Sequence, residues 1–403
     1  MSLESLPHRV NKIQVRLDQQ ELGLLTKGAV HYYQPTQIEQ YVSLTMTRPS
    51  LDGYSSGALH PIFAQNLPEG FNRRFIAERL ARYAKVDDMY LLALQGANGV
   101  GMLSYQTDFA LPETDSASID EILHYQGQEP LFPQLLEKYY LRNALSGVQP
   151  KVGIFNTNRT VEQQDFIVKS FDEEFPLLTV NEFVCMEAAR FCGLEPPRVY
   201  LSDNLENFVV ERFDKPQGRL LGYEDFTTLM KRPNSPDAKY TGSYEALLAA
   251  AYLYTNNLEE VYKLYRYIVF SCLIGNGDAH LKNFALQYTP DQQQVFVSPP
   301  FDITHTLIYD SIDNKMALKL KDSKAFPNKE HLLALSRSKY FKLTDAAAII
   351  DALAEGILDY LQRSNAVDLF AGLKASIRQS VSRSMASSYS SKSYRHDKKR
   401  KFE

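Results

Sequence analysis

Asp278 and Asn283 stand five positions apart in Gly275-Asn276-Gly277-Asp278-Ala279-His280-Leu281-Lys282-Asn283-Phe284, between a long apolar segment and a β-prone one. A carboxylate and an amide presented together in a short turn can accept a hydroxyl proton and ligate Mg²⁺, the two tasks that phosphoryl transfer asks of a protein. Asp278 is therefore read as the base and Asn283 as a metal ligand. Such a pair also arises through ordinary turn chemistry, so the flanking elements must discriminate. Phe284-Ala285-Leu286-Gln287-Tyr288 is followed by the turn signal Thr289-Pro290-Asp291 and by Val295-Phe296-Val297, which leads to Pro299-Pro300-Phe301-Asp302. That pattern predicts a hairpin. Because a hairpin brings its open ends together, Asn283 and Asp302 are expected side by side, two oxygen-bearing side chains for one hard cation. On the other flank Asn257 can cap a helix with Glu260 at its third position. Val261, Leu264, Ile268 and Cys272 then form one apolar face leading into the turn.

The chain of 403 residues is long enough for two or three domains with a sizeable core. A net charge of -4 removes nucleic acid as the default partner of the whole chain. The three cysteines, Cys185, Cys192 and Cys272, lie on apolar helical patterns without metal spacing, and their odd number argues against a disulfide framework. They fit a reducing compartment. The N-terminus carries no basic-then-apolar leader, and no run approaches the ~20 apolar residues that span a bilayer. A cytoplasmic protein is expected.

From about Asn11 to Tyr105 the pattern predicts a small α+β module. Lys12 to Leu17 alternates as a strand, Asp18-Gln19-Gln20 turns, and Glu21 to Leu25 returns. Ile76, Leu80 and Tyr83 mark one face of a helix opened by Asn72. Gly96-Ala97-Asn98-Gly99-Val100-Gly101 follows no strand that leads into a helix, so it reads as a tight structural turn rather than a phosphate loop. Residues 106–126 turn to Asp, Glu, Ser and Thr and read as a mobile connector.

Leu145-Ser146-Gly147-Val148-Gln149-Pro150-Lys151 combines small residues, whose backbone N–H groups can approach a phosphate, with one cation. Asp165 to Lys169 is an apolar strand ending in a lysine. That lysine suits either a snorkelling edge position or contact with nucleotide phosphates. The next helix, opened near Thr179, carries Glu182 as a partner for Lys169, with Glu187 as a competitor. Phe208 to Asp214 is a strand that turns polar, where Phe213 is either core or an adenine-facing ring. Beyond Asp302 a strand is expected around Met316 to Leu320, with helices over Ala346 to Leu361 and Val367 to Ile377. From Ser380 a disordered tail is expected. Its basic end, Lys398-Lys399-Arg400-Lys401, is either simply solvated or a phosphate-seeking arm.

Taken together, these motifs resemble the HipA family of bacterial serine/threonine kinases, the toxin half of HipBA-type toxin-antitoxin systems. Gln65-Asn66-Leu67-Pro68-Glu69-Gly70 with Arg73 or Arg74, Leu91-Leu92-Ala93 and Gly96 to Gly101 are similar to that family's N-terminal subdomain. Ser146 to Lys151 resembles its phosphate loop, Lys169 its nucleotide lysine and Glu211-Arg212-Phe213-Asp214 its hinge. Asp278 to Asn283 and Phe301-Asp302 resemble its catalytic and metal motifs. The resemblance implies ATP and Mg²⁺ as cofactors. It implies Asp278, Lys282 and His280 as the catalytic group, Asn283 and Asp302 as metal ligands, and Ser146, Gly147, Val148, Gln149, Lys151, Lys169, Glu211 and Phe213 as nucleotide contacts. It further implies a protein substrate, in known members an aminoacyl-tRNA synthetase, and a small helix-turn-helix antitoxin that makes the DNA contact.

The implied fold is α+β, a two-lobed kinase. Residues 1–105 would form the N-terminal subdomain, 106–140 an acidic and serine-rich connector, 141–214 the nucleotide lobe, 215–385 a helical catalytic lobe and 386–403 a basic tail. One departure matters. Relatives carry Ser-x-Ser-Gly, or a serine at the first of those positions, where this chain has Ala144-Leu145-Ser146-Gly147. Self-phosphorylation of the loop, if retained, is expected at Ser146. Asp302 is followed by Ile303 and Thr304 rather than Phe-Gly, so eukaryotic activation-loop logic does not carry over. A small-molecule kinase of the aminoglycoside or choline type, and a nucleotide-binding corepressor, stay open as alternatives.

Overall fold

The computed structural model describes residues 6–386 except 19, 29, 48–49, 55–57, 97–98, 110–117, 133, 136–150, 157–163, 172–173 and 217–219, and side chains at 50–52, 71–72 and 151–165 are not described. The phosphate-loop residues Ser146, Gly147, Val148 and Gln149, and the basic tail, lie outside the described residues. The chain divides into two compact units. One comprises Met1–Thr179, Pro197–Lys239 and Leu281–Pro299, the other Val180–Pro196, Tyr240–His280 and Pro300–Glu403. The fold is α+β.

The first unit holds every described strand, in three antiparallel sheets. Strands β1 (Lys12–Leu17), β2 (Gln20–Thr26), β3 (Val30–Tyr33), β4 (Ser50–Tyr54) and β5 (Leu103–Gln106) are ordered β4-β3-β2-β1-β5. In β1 the alternation expected from the sequence buries Ile13 and Val15, and Asp18 turns the chain in a left-handed conformation. Strands β6 (Lys151–Asn156), β7 (Gln164–Lys169), β8 (Val199–Leu201) and β9 (Phe208–Glu211) are ordered β6-β7-β9-β8. The expected hairpin forms from β11 (Ala285–Tyr288) and β12 (Val295–Val297), with β10 (Gly222–Asp225) pairing to the outer side of β11. Its register matches Leu286 with Val297 and Tyr288 with Val295, and Ser298 N–H donates to the Ala285 carbonyl at 3.0 Å to close the base.

One apolar core serves all three sheets. Ile13, Val15, Leu25, Phe63, Ile76 and Leu92 pack in a single cluster with Phe166 and Val168 from β7, Val209 from β9 and Tyr288 from β11. Phe166 and Val168 are two apart on a strand and so share a face. The N-terminal module thus covers that face of the second sheet.

Two sequence expectations need correcting here. The helix predicted to open at Asn72 spans Gly70–Leu80 with Glu69 at its N-cap, and Tyr83 lies beyond its end. Within the stretch read as a mobile connector, Ile119–Leu123 is helical. Ser118 and Glu121 form a reciprocal capping box there, and Ile119 and Ile122 are buried.

In the second unit Asn257 caps the helix Leu258–Ile274 by accepting from Glu259 N–H at 2.9 Å, worth about 1 kcal/mol. Val261, Leu264, Ile268 and Cys272 are all buried, as expected. The helix packs against Tyr244–Thr255, Ala346–Arg363 and Leu373–Met385. Three readings fail. Met316, Ala317, Leu318 and Leu320 are buried, but the stretch forms only isolated bridges, Ser243 with Lys319 and Leu320 with Ser323. Val367 to Ile377 is not one helix: a short 3₁₀ turn at Ala366–Leu369 ends before Gly372, whose φ of +87° breaks the run. The helix that follows continues to Met385 and buries Ser380 and Ser384, so the tail does not begin at Ser380. The three cysteines are free thiols, and burial pushes each thiol up out of its reactive range. Among the described residues no helix is long and apolar enough to cross a membrane.

Candidate active site

The turn after helix Leu258–Ile274 is built by two glycines. Gly275 adopts φ +86° and ends the helix by donating its N–H to the Ser271 carbonyl. A Cβ there would sit 2.7 Å from His305 Nδ1; at Gly277 it would sit 2.6 Å from the Lys315 carbonyl and 2.7 Å from Thr306 Oγ1. Gly277 N–H instead donates to Thr306 Oγ1 at 2.8 Å, and Asn276 Oδ1 accepts from Asp278 N–H at 3.1 Å. Beneath the turn, the buried Tyr244 hydroxyl donates to the Ala279 carbonyl at 2.9 Å. The outcome is a fixed turn that leaves the Asp278 side chain 55% exposed. A carboxylate so placed is accessible to an incoming hydroxyl.

Two aromatic rings stand beside it. The Tyr240 hydroxyl lies 3.5 Å from Asp278 Oδ1, and the Tyr240 ring meets the His280 ring edge-on at 5.3 Å. His280 Nε2 is 4.0 Å from Asp278 Oδ2, and His280 is buried, so it backs the carboxylate rather than presenting itself to solvent. Sequence reasoning missed Tyr240, which sits 38 positions upstream with no motif around it.

Asp302 is held in the left-handed region at φ +59°, a conformation that a non-glycine residue adopts rarely and often at functional sites. Its neighbours fix it. Tyr267 donates its hydroxyl to the Phe301 carbonyl at 2.6 Å, and burial together with the Asp302 charge pushes that phenol up. Three residues on, the fully buried His305 links Ile274, Ser376 and Asn181. Its Nδ1–H donates to the Ile274 carbonyl at 2.6 Å, its Nε2 accepts from Ser376 Oγ at 2.6 Å, and its backbone N–H donates to Asn181 Oδ1 at 2.8 Å. Burial lowers its pKa to about 4, so the ring is neutral. His305 therefore ties the segment after Asp302 to the end of the helix that carries the Asp278 turn. On the helix Leu178–Phe191, Glu182 is buried while Glu187 pairs with Arg190 at 3.0 Å.

In the first unit Lys169 is buried at 5% exposure on β7, an interior strand, with its Nζ 5.7 Å from the Phe208 ring centroid. The edge-snorkelling reading is thereby corrected. Lys151 on β6 is its backbone register partner. Glu211 accepts from the Tyr200 hydroxyl at 2.9 Å; the Phe213 carbonyl accepts from Gln287 Nε2 at 3.1 Å, and its ring lies 6.2 Å from that of Tyr223. The glycine turn behaves as a structural turn. Arg212 and Asp214 form a buried ion pair at 2.5 Å, Gly101 N–H donates to Asp214 at 2.9 Å, and Arg212 donates to the Gly99 carbonyl at 2.8 Å.

Asn283 closes a 3₁₀ turn, Leu281–Asn283, two residues before the hairpin base, and is 3% exposed. Phe226 N–H donates to the Phe284 carbonyl at 3.0 Å and fixes the turn's exit. Lys282 is engaged by Glu69, which also holds Lys239 at 3.1 Å. Burial alone would raise the Glu69 pKa, but the two ammonium groups outweigh it and hold the carboxyl down at about 2. An amide oxygen and a carboxylate oxygen are a donor set suited to Mg²⁺.

The family described as HipA-like C-terminal domain matches residues 143–361, and the HipA N-terminal domain matches residues 13–106. The chain is 24% identical over 323 residues to the serine/threonine-protein kinase toxin HipA of Shewanella oneidensis, covering 73% of each chain. It is 26% identical over 319 residues to a Sinorhizobium fredii protein provisionally named as a kinase, covering 73% of this chain and 72% of that one. Among solved structures, the complex of Shewanella oneidensis HipA with HipB and operator DNA matches with a TM-score of 0.64 at 19% identity, over 92% of this chain and 97% of that chain.

Proposed function

We propose, since the chain belongs to the HipA family of kinases, that it is an ATP- and Mg²⁺-dependent serine/threonine protein kinase and the toxin of a bacterial toxin-antitoxin pair. In this reading Asp278 takes the proton of a substrate hydroxyl, with Tyr240 and His280 keeping its carboxylate oriented. Asn283 and Asp302 supply oxygen ligands to Mg²⁺, which when bound offsets charge on the phosphate oxygens. Lys169 and Lys151 take the phosphates, the backbone of Ser146, Gly147, Val148 and Gln149 cradles them, and Glu211 and Phe213 receive the adenine. Lys282 steadies the turn next to Asn283. Residues 141–214 form the nucleotide lobe and 215–385 the catalytic lobe of this proposal.

The observation that carries the reading is the Asp278 turn, in which both glycine positions are closed to a side chain and the carboxylate stands exposed. The substrate is proposed to be a serine of a cytoplasmic protein, with aminoacyl-tRNA synthetases the first class to test. The restraining partner is proposed to be a small helix-turn-helix antitoxin, through which DNA is contacted; HipA of Shewanella oneidensis was solved with HipB and operator DNA.

The test is mass spectrometry of cell extract incubated with Mg-ATP and either the unaltered chain or Asp278→Asn. New phosphoserines on a host protein, reduced at least about 10²-fold in the variant while ATP binding persists, are expected. The same spectra read phosphate at Ser146. Equal phosphorylation by Asp278→Asn would overturn the assignment of the base, and no transfer by either chain would favour the corepressor reading.

A further inference from the structure

We infer that Glu69, in the N-terminal module, is a positioning residue for the cation site: its carboxylate bridges Lys282 and Lys239 and thereby fixes the turn that carries Asn283. This rests on the kinase reading above, which makes Asn283 a ligand.

Glu69 occupies the N-cap of helix Gly70–Leu80, where an oxygen-bearing side chain ordinarily accepts from a first-turn N–H, yet its carboxylate makes no capping bond. It is committed to the two lysines instead, Lys239 at 3.1 Å and Lys282. Side-chain exposures of 27% for Glu69, 24% for Lys282 and 9% for Lys239 put the group largely out of water. Glu69 is the carboxylate in direct contact with both ammonium groups, so removing its charge costs each lysine that ion pair. Lys282 immediately precedes Asn283, so releasing the lysine from Glu69 would loosen the three-residue turn that Asn283 ends.

The surrounding contacts make the carboxylate part of a closed net rather than a chance surface pair. Four residues before it, Gln65 Nε2 donates to the Tyr223 carbonyl at 2.8 Å and Gln65 Oε1 accepts from Asp225 N–H at 3.1 Å. Asp225 then accepts from Thr228 N–H at 2.8 Å, capping the short helix Phe226–Leu229, and Phe226 N–H holds the Phe284 carbonyl at 3.0 Å. The segment Gln65–Glu69 thus grips both sides of the Leu281–Asn283 turn: the short helix through Gln65, and the turn itself through Lys282. Groups that orient a metal ligand without touching the metal are the kind whose loss lowers affinity while the fold persists.

The experiment uses the full-length chain and Mn²⁺ as a spectroscopically visible stand-in for Mg²⁺. Electron paramagnetic resonance measures Mn²⁺ affinity of the ATP complex for the unaltered chain, Glu69→Gln and Glu69→Asp. ATP affinity without metal and the thermal midpoint are measured alongside. Glu69→Gln is expected to weaken Mn²⁺ binding about tenfold while leaving metal-free ATP affinity unchanged. Glu69→Asp, one methylene too short to span both lysines, is expected to show a smaller loss in the same direction. Unaltered Mn²⁺ affinity in Glu69→Gln, with normal binding by the parent chain, would overturn this inference and leave the kinase reading standing. Should Glu69→Gln fail to fold, parental affinity in Glu69→Asp would overturn it equally. A parent chain that binds ATP without recruiting Mn²⁺ would overturn the metal-site reading and this inference with it.

Discussion

Gly277 has no room for a methyl group, because a Cβ would come within 2.6 Å of the Lys315 carbonyl and 2.7 Å of Thr306 Oγ1. Backbone cannot yield as a side-chain tip can, so the turn itself must shift and carry Asp278 with it. Since a displacement of about 1 Å can cost about 10²-fold in rate, Gly277→Ala is expected to cut single-turnover phosphate transfer by that order with ATP affinity little changed. An unaffected rate would mean that the turn does not depend on this close approach. Asp278, Asn283 and Asp302 could be proposed from the sequence because their types and spacing are local. Tyr240 and the Glu69 pairing with Lys282 were not, since 38 and 213 positions separate the partners and no periodicity links them. His280 shows the limit from the other side: its residue type suggests chemistry, whereas burial and the Tyr240 ring make it a support.

Among the elements, the hairpin and the helix Leu258–Ile274 were read correctly because each is specified by its own residues: two β-prone runs around a Pro-Asp turn in one case, a capping asparagine and an apolar stripe in the other. The misreadings have equally local causes. Composition hid the Ser118–Glu121 capping box inside a polar stretch, although box and flanking isoleucines together define a helix start. An apolar run around Met316 to Leu320 can be buried without pairing, because burial and strand formation are separate requirements. Gly372 interrupts a helical stripe that looked continuous, since one left-handed residue costs the run its hydrogen-bond ladder without changing its apolar pattern. Lys169 belongs to the same class. Only pairing with both β6 and β9 reveals that β7 is interior, and strand order is not written along a single strand.

In the whole molecule, the N-terminal module and the two remaining sheets of the first unit share one core, assembled from chain segments that are far apart in sequence. Buried titratable groups make stability depend on pH in opposite senses. Burial lowers His31 and His305 to about 4, and half-buried His60 moves likewise, so their contribution is present above pH ~6.5 and lost as pH falls toward 4. Each fully buried ring carries at most on the order of 3 kcal/mol. Glu224 is raised to about 7 by burial, partly offset by Leu44 N–H, Tyr288 and Ser43, so its contribution is present below pH ~4.5 and lost as pH rises through 7. The histidines outnumber it. Urea unfolding is therefore expected to show stability falling between pH 6.5 and 4.5, and a flat profile over that window would contradict the neutral, buried assignment of the rings. Where the cation goes can be seen in a crystal structure of the chain with Mg²⁺ and a non-hydrolysable ATP analogue. One Mg²⁺ is expected about 2.0–2.1 Å from an oxygen of both Asn283 and Asp302 and in contact with the nucleotide phosphates, with Lys169 on those phosphates and Asp278 open to a substrate hydroxyl. A metal-bound nucleotide held elsewhere, or touching neither Asn283 nor Asp302, would contradict it.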